Sequence, residues 1–270
     1  MEKLLEGEYL EAQRLCEDIA SGMEPPRFYA DKGAEVEESR AAFESEPDVR
    51  RALAVVEEKG DVLGHGLSHV RKVAIDAGAI VLIEMAGDGH EETRRMLLLA
   101  HLAGVLHDIR REQPEHAQRG ADEAEIVLEE FDLRDGEKAA IVQAIRNHEA
   151  FKPDVPLCDP SLQLLSDALY DADKFRWGPD NFTETVWMMV APTGVPMAAL
   201  LGHFGTSIEG IERISDTFRT ATGREYGPDF IAKGLLIGER LYEELAKVYV
   251  KNEESVREAD RGRPPERGEV

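Results

Sequence analysis

The chain is short of cysteine, short of basic residues relative to acidic ones, and has no long hydrophobic run. Cys16 and Cys158 are the only cysteines among 270 residues. They form no CxxC pair and no spaced framework, so no disulfide scaffold is expected and a reducing cytoplasm is the expected location. The longest apolar stretches, "AGAIVLIEMAG" and "MLLLAHLAGVL", fall short of the ~20 residues a bilayer span needs. The opening "MEKLLEGEYLEAQ" has no basic segment followed by a continuous apolar one, so no signal peptide is expected. Lys and Arg number 32 against 55 Asp and Glu, a formal net charge of −23. Such a surface repels phosphate backbones and anionic lipid, which argues against general nucleic-acid binding and against membrane association. A small anionic substrate survives the objection, because a metal ion and a few arginines reverse the potential locally. Alternating strand patterns and internal repeats are also missing.

What is present is helical periodicity. Residues 2–20 read as an amphipathic helix ending at the Gly and Pro-Pro of "ASGMEPPRFYADKG", which reads as a loop. "SEPDVRRALAVVEEKG" places Ser45 as N-cap, Pro47 in the first turn and Gly60 past the end of the next helix. Apolar residues then recur at three- and four-residue spacing through about 66–87, 91–109, 116–131, 137–150 and 161–175. Further helices are predicted near 181–190, 196–220 and 228–248, the last opened by Pro228. The charged, proline-bearing stretch 251–270 reads as disordered. The expected fold is all-α: an N-terminal helical extension over 1–60, a core over 61–176, C-terminal helices over 177–250 packed on that core, and the tail.

Four helices each carry one ligand-type group on the apolar stripe. His69 precedes Val73 and Ile80. His116 opens a stripe that continues through Gly120, Ala124, Val127 and Phe131. His148 follows Ile141 and Ile145, and Asp173 follows Leu162 and Leu169. In "LLLAHLAGVLHDIRR" an otherwise apolar helix ends on the adjacent pair His107 and Asp108. Burying one unpaired carboxylate costs several kcal/mol, so a cluster of such groups needs a common partner. A metal ion is such a partner. Imidazoles and carboxylates without thiolates suit Mn, Fe, Co, Ni, Zn or Mg.

"HGLSHVRKV", "LAGVLHDIRR", "HAQRGADEAEIVL", "AIRNHE" and "LYDADKF" occur in that order between residues 61 and 176. Together they resemble the HD-domain superfamily of metal-dependent phosphohydrolases. The resemblance implies an antiparallel helical bundle of the HD type, here with extra N- and C-terminal helices. It implies metal ligation by His69, by the doublet His107 and Asp108, and by Asp173 rather than Asp171. His116 and His148 match the positions that hold a second metal in some members, with Asp108 bridging, so one or two divalent ions are expected. The implied chemistry is attack of metal-activated water on a phosphate ester of a nucleotide or small metabolite. Lys72, Arg111, Lys174 and Arg176, each beside a motif, are candidates to stabilise the phosphoryl oxygens. Arg176 and His65 are also read as contacts of the ligands or the substrate.

Two other classes share the ligand set: a di-iron oxygenase of the same superfamily, and a non-catalytic sensor binding a nucleotide or metal. Among the remaining histidines, His101 reads as core and His90 as surface, while His203 has no motif around it. Glu149 reads as an exposed carboxylate that could assist proton transfer, and Gly104 as a site of close helix packing. Trp177, Phe182 and Trp187 read as anchors for the C-terminal helices. The 60 N-terminal residues are open between a lid, a dimer surface and plain packing. No oligomeric state is set by the sequence, and a homodimer is compatible with it.

Overall fold

The computed structural model describes residues 7–59, 66–190 and 193–261, and every regular element among them is helical. In chain order they are α1 (Glu8–Ser21), α2 (Arg27–Asp31), α3 (Gly33–Ser45), α4 (Pro47–Lys59), α5 (Leu67–Glu84), α6 (His90–Leu106), α7 (His116–Leu128), α8 (Asp135–Arg146), α9 (Gln163–Phe175), α10 (Val186–Val190), α11 (Met197–Glu212) and α12 (Ala221–Arg261). Short 3-10 turns cover Pro160–Leu162 and Arg213–Asp216, and a π turn covers Asn181–Thr185. Among the described residues no helix is long and apolar enough to cross a membrane.

The centre of the molecule is α5, which packs against α6, α3 and α9; α8 packs against α6, α7 and α9. Helix α5 is buried almost all round from Val73 to Val81, as expected of an interior helix. Its approach to α6 is set by glycine: a Cβ on Gly104 would lie 2.5 Å from the Cα of Ala74. The backbones touch there, one turn before His107. The two ends of the chain meet outside this core, where α1 packs against α12, α10 and the π turn. Trp187 and Phe182 are buried in that layer, and the indole N–H of Trp187 donates to the Phe182 carbonyl.

Several boundaries differ from the sequence-based expectation. The segment "ASGMEPPRFYADKG", read as a loop, holds α2; α3 follows it, and Ser45 ends α3 instead of capping α4. Its hydroxyl donates back to the carbonyls of Ala41 and Ala42 (2.8 and 3.1 Å). Glu46, extended as a residue before proline must be, separates the two helices and Pro47 opens α4.

The helix predicted over 196–220 stops at Glu212, and the last helix begins at Ala221 rather than at Pro228, which lies inside it. Two buried or half-buried carboxylates from elsewhere set that start. Asp171 accepts from the amides of Arg219 and Thr220 (both 2.8 Å), and Glu84 accepts from the amide and hydroxyl of Thr222 (both 2.6 Å). They satisfy the orphan donors of a helix N-terminus. Helix α12 also runs through the first part of the stretch read as a disordered tail, as far as Arg261. Its Glu, Lys and Arg residues are good helix formers that extend an established helix at little cost.

Candidate metal centre

His107 and His148 both stand just past a helix end, whereas the apolar periodicity predicts them inside helices. Helix α6 stops at Leu106 and α8 at Arg146. The last carbonyls of a helix have no partner within it, and each imidazole uses one. His107 Nδ1 lies 2.8 Å from Gly104 O, and His148 Nδ1 lies 2.6 Å from Ile145 O. A carbonyl only accepts, so Nδ1 carries the proton in both rings and Nε2 presents a lone pair. Two helix C-termini thus fix the tautomer and orientation of two ligand-type histidines, and their dipoles favour a cation nearby.

Those lone pairs point at other acceptors. His107 Nε2 is 3.5 Å from Asp108 Oδ2 and 3.7 Å from Asp173 Oδ1. His69 Nε2 completes the group, at 3.2 Å from His107 Nε2, 3.4 Å from Asp173 Oδ1 and 3.7 Å from Asp108 Oδ2. All four residues are buried. Donors that share one ion at about 2.1 Å stand roughly 3.0–3.4 Å from one another, close to these separations. Among the described residues two groups could hold a metal ion: His69, His107 and Asp173, and His107, Asp108 and His148. On the second side His148 Nε2 is 3.4 Å from Asp108 Oδ1, buried and without a hydrogen-bond partner among the described residues. A lone pair facing a carboxylate oxygen in the interior calls for positive charge on this side of the site. The residues present therefore fit a divalent ion.

The electrostatics agree. Burial works to raise the Asp108 pKa, but His107, His148 and Arg111 outweigh it and hold the carboxyl well below the usual carboxylate range. Asp173 is likewise ionised despite burial, chiefly through the Lys174 ammonium and then through His107 and His69. Burial disfavours a charged His107, yet the two carboxylates draw its pKa upward. That is how a cluster short of positive charge behaves.

The two neighbouring aspartates face different ways. Asp173 faces the histidines, whereas Asp171 caps α12. His116, half-buried at the first position of α7, has Nε2 3.9 Å from Asp108 Oδ1 and Nδ1 3.9 Å from Glu149. Its pKa is lowered to about 4 by burial and by the Arg111 charge. Arg111 is at the centre, with NH1 2.6 Å from His116 Nε2 and 3.9 Å from Asp108 Oδ1. Lys174 is buried against Asp173 Oδ2 at 2.5 Å.

Two of the expected cations are engaged elsewhere. Lys72 lies 2.5 Å from Glu184 and 3.4 Å from Asp180. Arg176 is buried in a pair with Asp76, and also bonds Tyr29 and Asp180. Each found a carboxylate on an element distant in sequence. His65 lies outside the described residues.

The sequence reading passed over the supports behind His148. Asn147 donates to Val155 O (2.8 Å) and Ser166 Oγ (3.0 Å), and Arg219 donates to Asn147 O (3.1 Å) while stacking 3.7 Å over the Tyr170 ring. Asn147 adjoins a ligand-type histidine and was legible as a candidate; nothing in the sequence around Arg219 singles it out. Comparison with family models, curated proteins and solved structures returns no match for this chain.

Proposed function

We propose that this protein is a metal-dependent phosphohydrolase of the HD type, cleaving a phosphate ester of a nucleotide or another small metabolite. The observation that carries the reading is the convergence of His69, His107, Asp108 and Asp173, buried, with donor atoms 3.2–3.7 Å apart in five of their pairings. Their order along the chain is the one that the HD resemblance requires. A divalent ion held by these four residues supplies a Lewis acid and a water acidified toward neutral pH.

The protein's own groups do the rest. Asp108 turns Oδ2 to His69 and His107, and Oδ1 to His148 and His116, so one carboxylate joins both halves of the site. Arg111, about a third exposed (29%), keeps further N–H donors for an anionic oxygen. Lys174 holds one oxygen of Asp173 and leaves the other turned to the histidines. Glu149, beside His116 and partly exposed, is placed to exchange a proton with solvent. The strongly acidic surface suits a small substrate rather than a nucleic acid. Both described cysteines are free, which suits a cytoplasmic enzyme.

The test is phosphate release from a panel of nucleotides and phosphomonoesters, with Mn, Co, Ni, Mg and Fe(II) supplied separately to the full chain. Metal-dependent release that disappears in Asp108→Ala, with helix content retained, is the expected result. Silence across the panel from metal-loaded protein would overturn it. Oxygen uptake by the iron form would then favour the oxygenase reading, for which the second donor group through His148 speaks.

A further inference from the structure

Arg111 occupies an unusual position for a cation in a metal-binding cluster. It follows Asp108 by three residues in the turn after α6, and its NH1 lies 2.6 Å from His116 Nε2. A guanidinium has no acceptor and keeps its protons, so His116 Nε2 accepts this bond. The lone pair that a second ion would need from His116 is therefore committed to Arg111. The same NH1 is 3.9 Å from Asp108 Oδ1, the carboxylate oxygen on the side away from His69 and His107. His148 Nε2, buried and without a hydrogen-bond partner among the described residues, faces that oxygen at 3.4 Å. Arg111 thus stands beside two of the three groups that a second ion would use, His116 and Asp108.

The placement of His116 does not depend on an ion to pull it inward. Glu115 adopts a left-handed conformation (φ 55), which starts α7 at His116. Such a conformation is unfavourable for a non-glycine residue and persists only where its surroundings impose it. The histidine is presented to Arg111 by the backbone.

We propose that Arg111 is the second cation of this centre. Its guanidinium stands in place of a second metal ion, and the protein binds one divalent ion per chain, in the cluster of His69, His107, Asp108 and Asp173. The charges support this assignment. Two buried carboxylates, the Lys174 ammonium, the Arg111 guanidinium and one divalent ion leave net positive charge even with the partly exposed Glu149 beside His116, which suits an anionic phosphate ester. A second divalent ion beside the guanidinium would bring like charges within a few ångströms in a buried site, at a steep cost. A guanidinium also offers planar, paired donors to phosphoryl oxygens, which an ion does not.

The inference rests on the metal-dependent reading above, and metal counting separates the two. The full chain is saturated with Mn(II), desalted, and its metal content measured per chain; electron paramagnetic resonance reports whether the ions are coupled in pairs. One uncoupled Mn per chain is expected for the wild type. Arg111→Ala and the neutral, polar Arg111→Gln should each take up a second ion and show the signal of a coupled pair. His116→Ala in the wild-type background should leave the single ion in place, and adding it to Arg111→Ala should return the count to one. Two ions in the wild type, or a single ion in both folded Arg111 variants, would overturn the inference and leave the metal-dependent reading standing. No bound metal in any form would overturn both.

Discussion

The ammonium of Lys174 lies 2.5 Å from Oδ2 of Asp173, its neighbour in the chain, and both side chains are buried. Consecutive residues on a helix do not normally face each other. Here they do, at the last turn of α9, and the contact assigns the two carboxylate oxygens different tasks. Oδ2 is held by lysine, and Oδ1 is turned to His69 and His107. On the metal-dependent reading proposed above, Lys174 positions Asp173 through this contact. Lys174→Met should weaken divalent metal binding by about 10- to 100-fold, the usual effect of losing a group behind a metal ligand. Chelator competition checks it, with circular dichroism to confirm the fold; unchanged affinity would remove Lys174 from the site.

Arg176 and Asp76 make the opposite case. The arginine sits beside the "DADKF" motif, yet its guanidinium is buried against Asp76 on α5, with Tyr29 and Asp180 around it. Arg176→Met leaves the buried Asp76 carboxylate without its charged partner, with only the Tyr29 hydroxyl donating to it, and should cost about 3–5 kcal/mol of stability. Metal content per folded chain should not change. Urea unfolding and metal analysis on the same preparation distinguish this structural role from a role in substrate binding.

His101 should make the protein acid-sensitive. It is buried, and the Ser39 hydroxyl, which donates to Ile75 O (2.7 Å), accepts from His101 Nε2 at 3.0 Å. Burial pushes its pKa down from the ordinary 6.5 to about 3. Below pH 6.5 the unfolded chain takes up a proton that the native ring refuses. Stability is therefore complete above that pH and is lost progressively as pH falls toward 3. Between pH 7 and pH 5 this residue should remove roughly 2 kcal/mol. His101→Gln keeps a neutral donor toward Ser39 and should flatten that part of the stability–pH curve; an unchanged slope would show that His101 is not responsible.

Gly104 carries the contact on which His107 depends. A Cβ there would lie 2.5 Å from Ala74 Cα and 2.8 Å from Ala74 N, both backbone atoms that cannot turn aside. Gly104→Ala should push α5 and α6 apart, cost about 1–3 kcal/mol as overpacking does, and weaken metal binding, because Gly104 O orients the His107 ring. Ala74→Gly in the same chain removes only the methyl partner and should restore little. Wild-type stability and metal affinity in the single variant would show that the two helices can separate freely.

The all-helical class and the helices from α4 to α9 follow from the spacing of apolar residues and from local signals such as Pro47. The donor set follows from the same periodicity, which puts His69, His116, His148 and Asp173 on inward stripes, and from the adjacency of His107 and Asp108. A helix face is a local property, and 3.6-residue periodicity records it. Which element a face meets is not local. α12 begins where Asp171 and Glu84, 49 and 138 residues from Thr220 and Thr222, reach its first amides. The basic residues show this most clearly. Lys72, Arg111, Lys174 and Arg176 look alike beside their motifs, and a chain with 55 acidic residues offers each of them many partners. Only folding decided that Arg111 meets His116 while Arg176 meets Asp76, because the energy of a charge depends on what stands within a few ångströms of it in space.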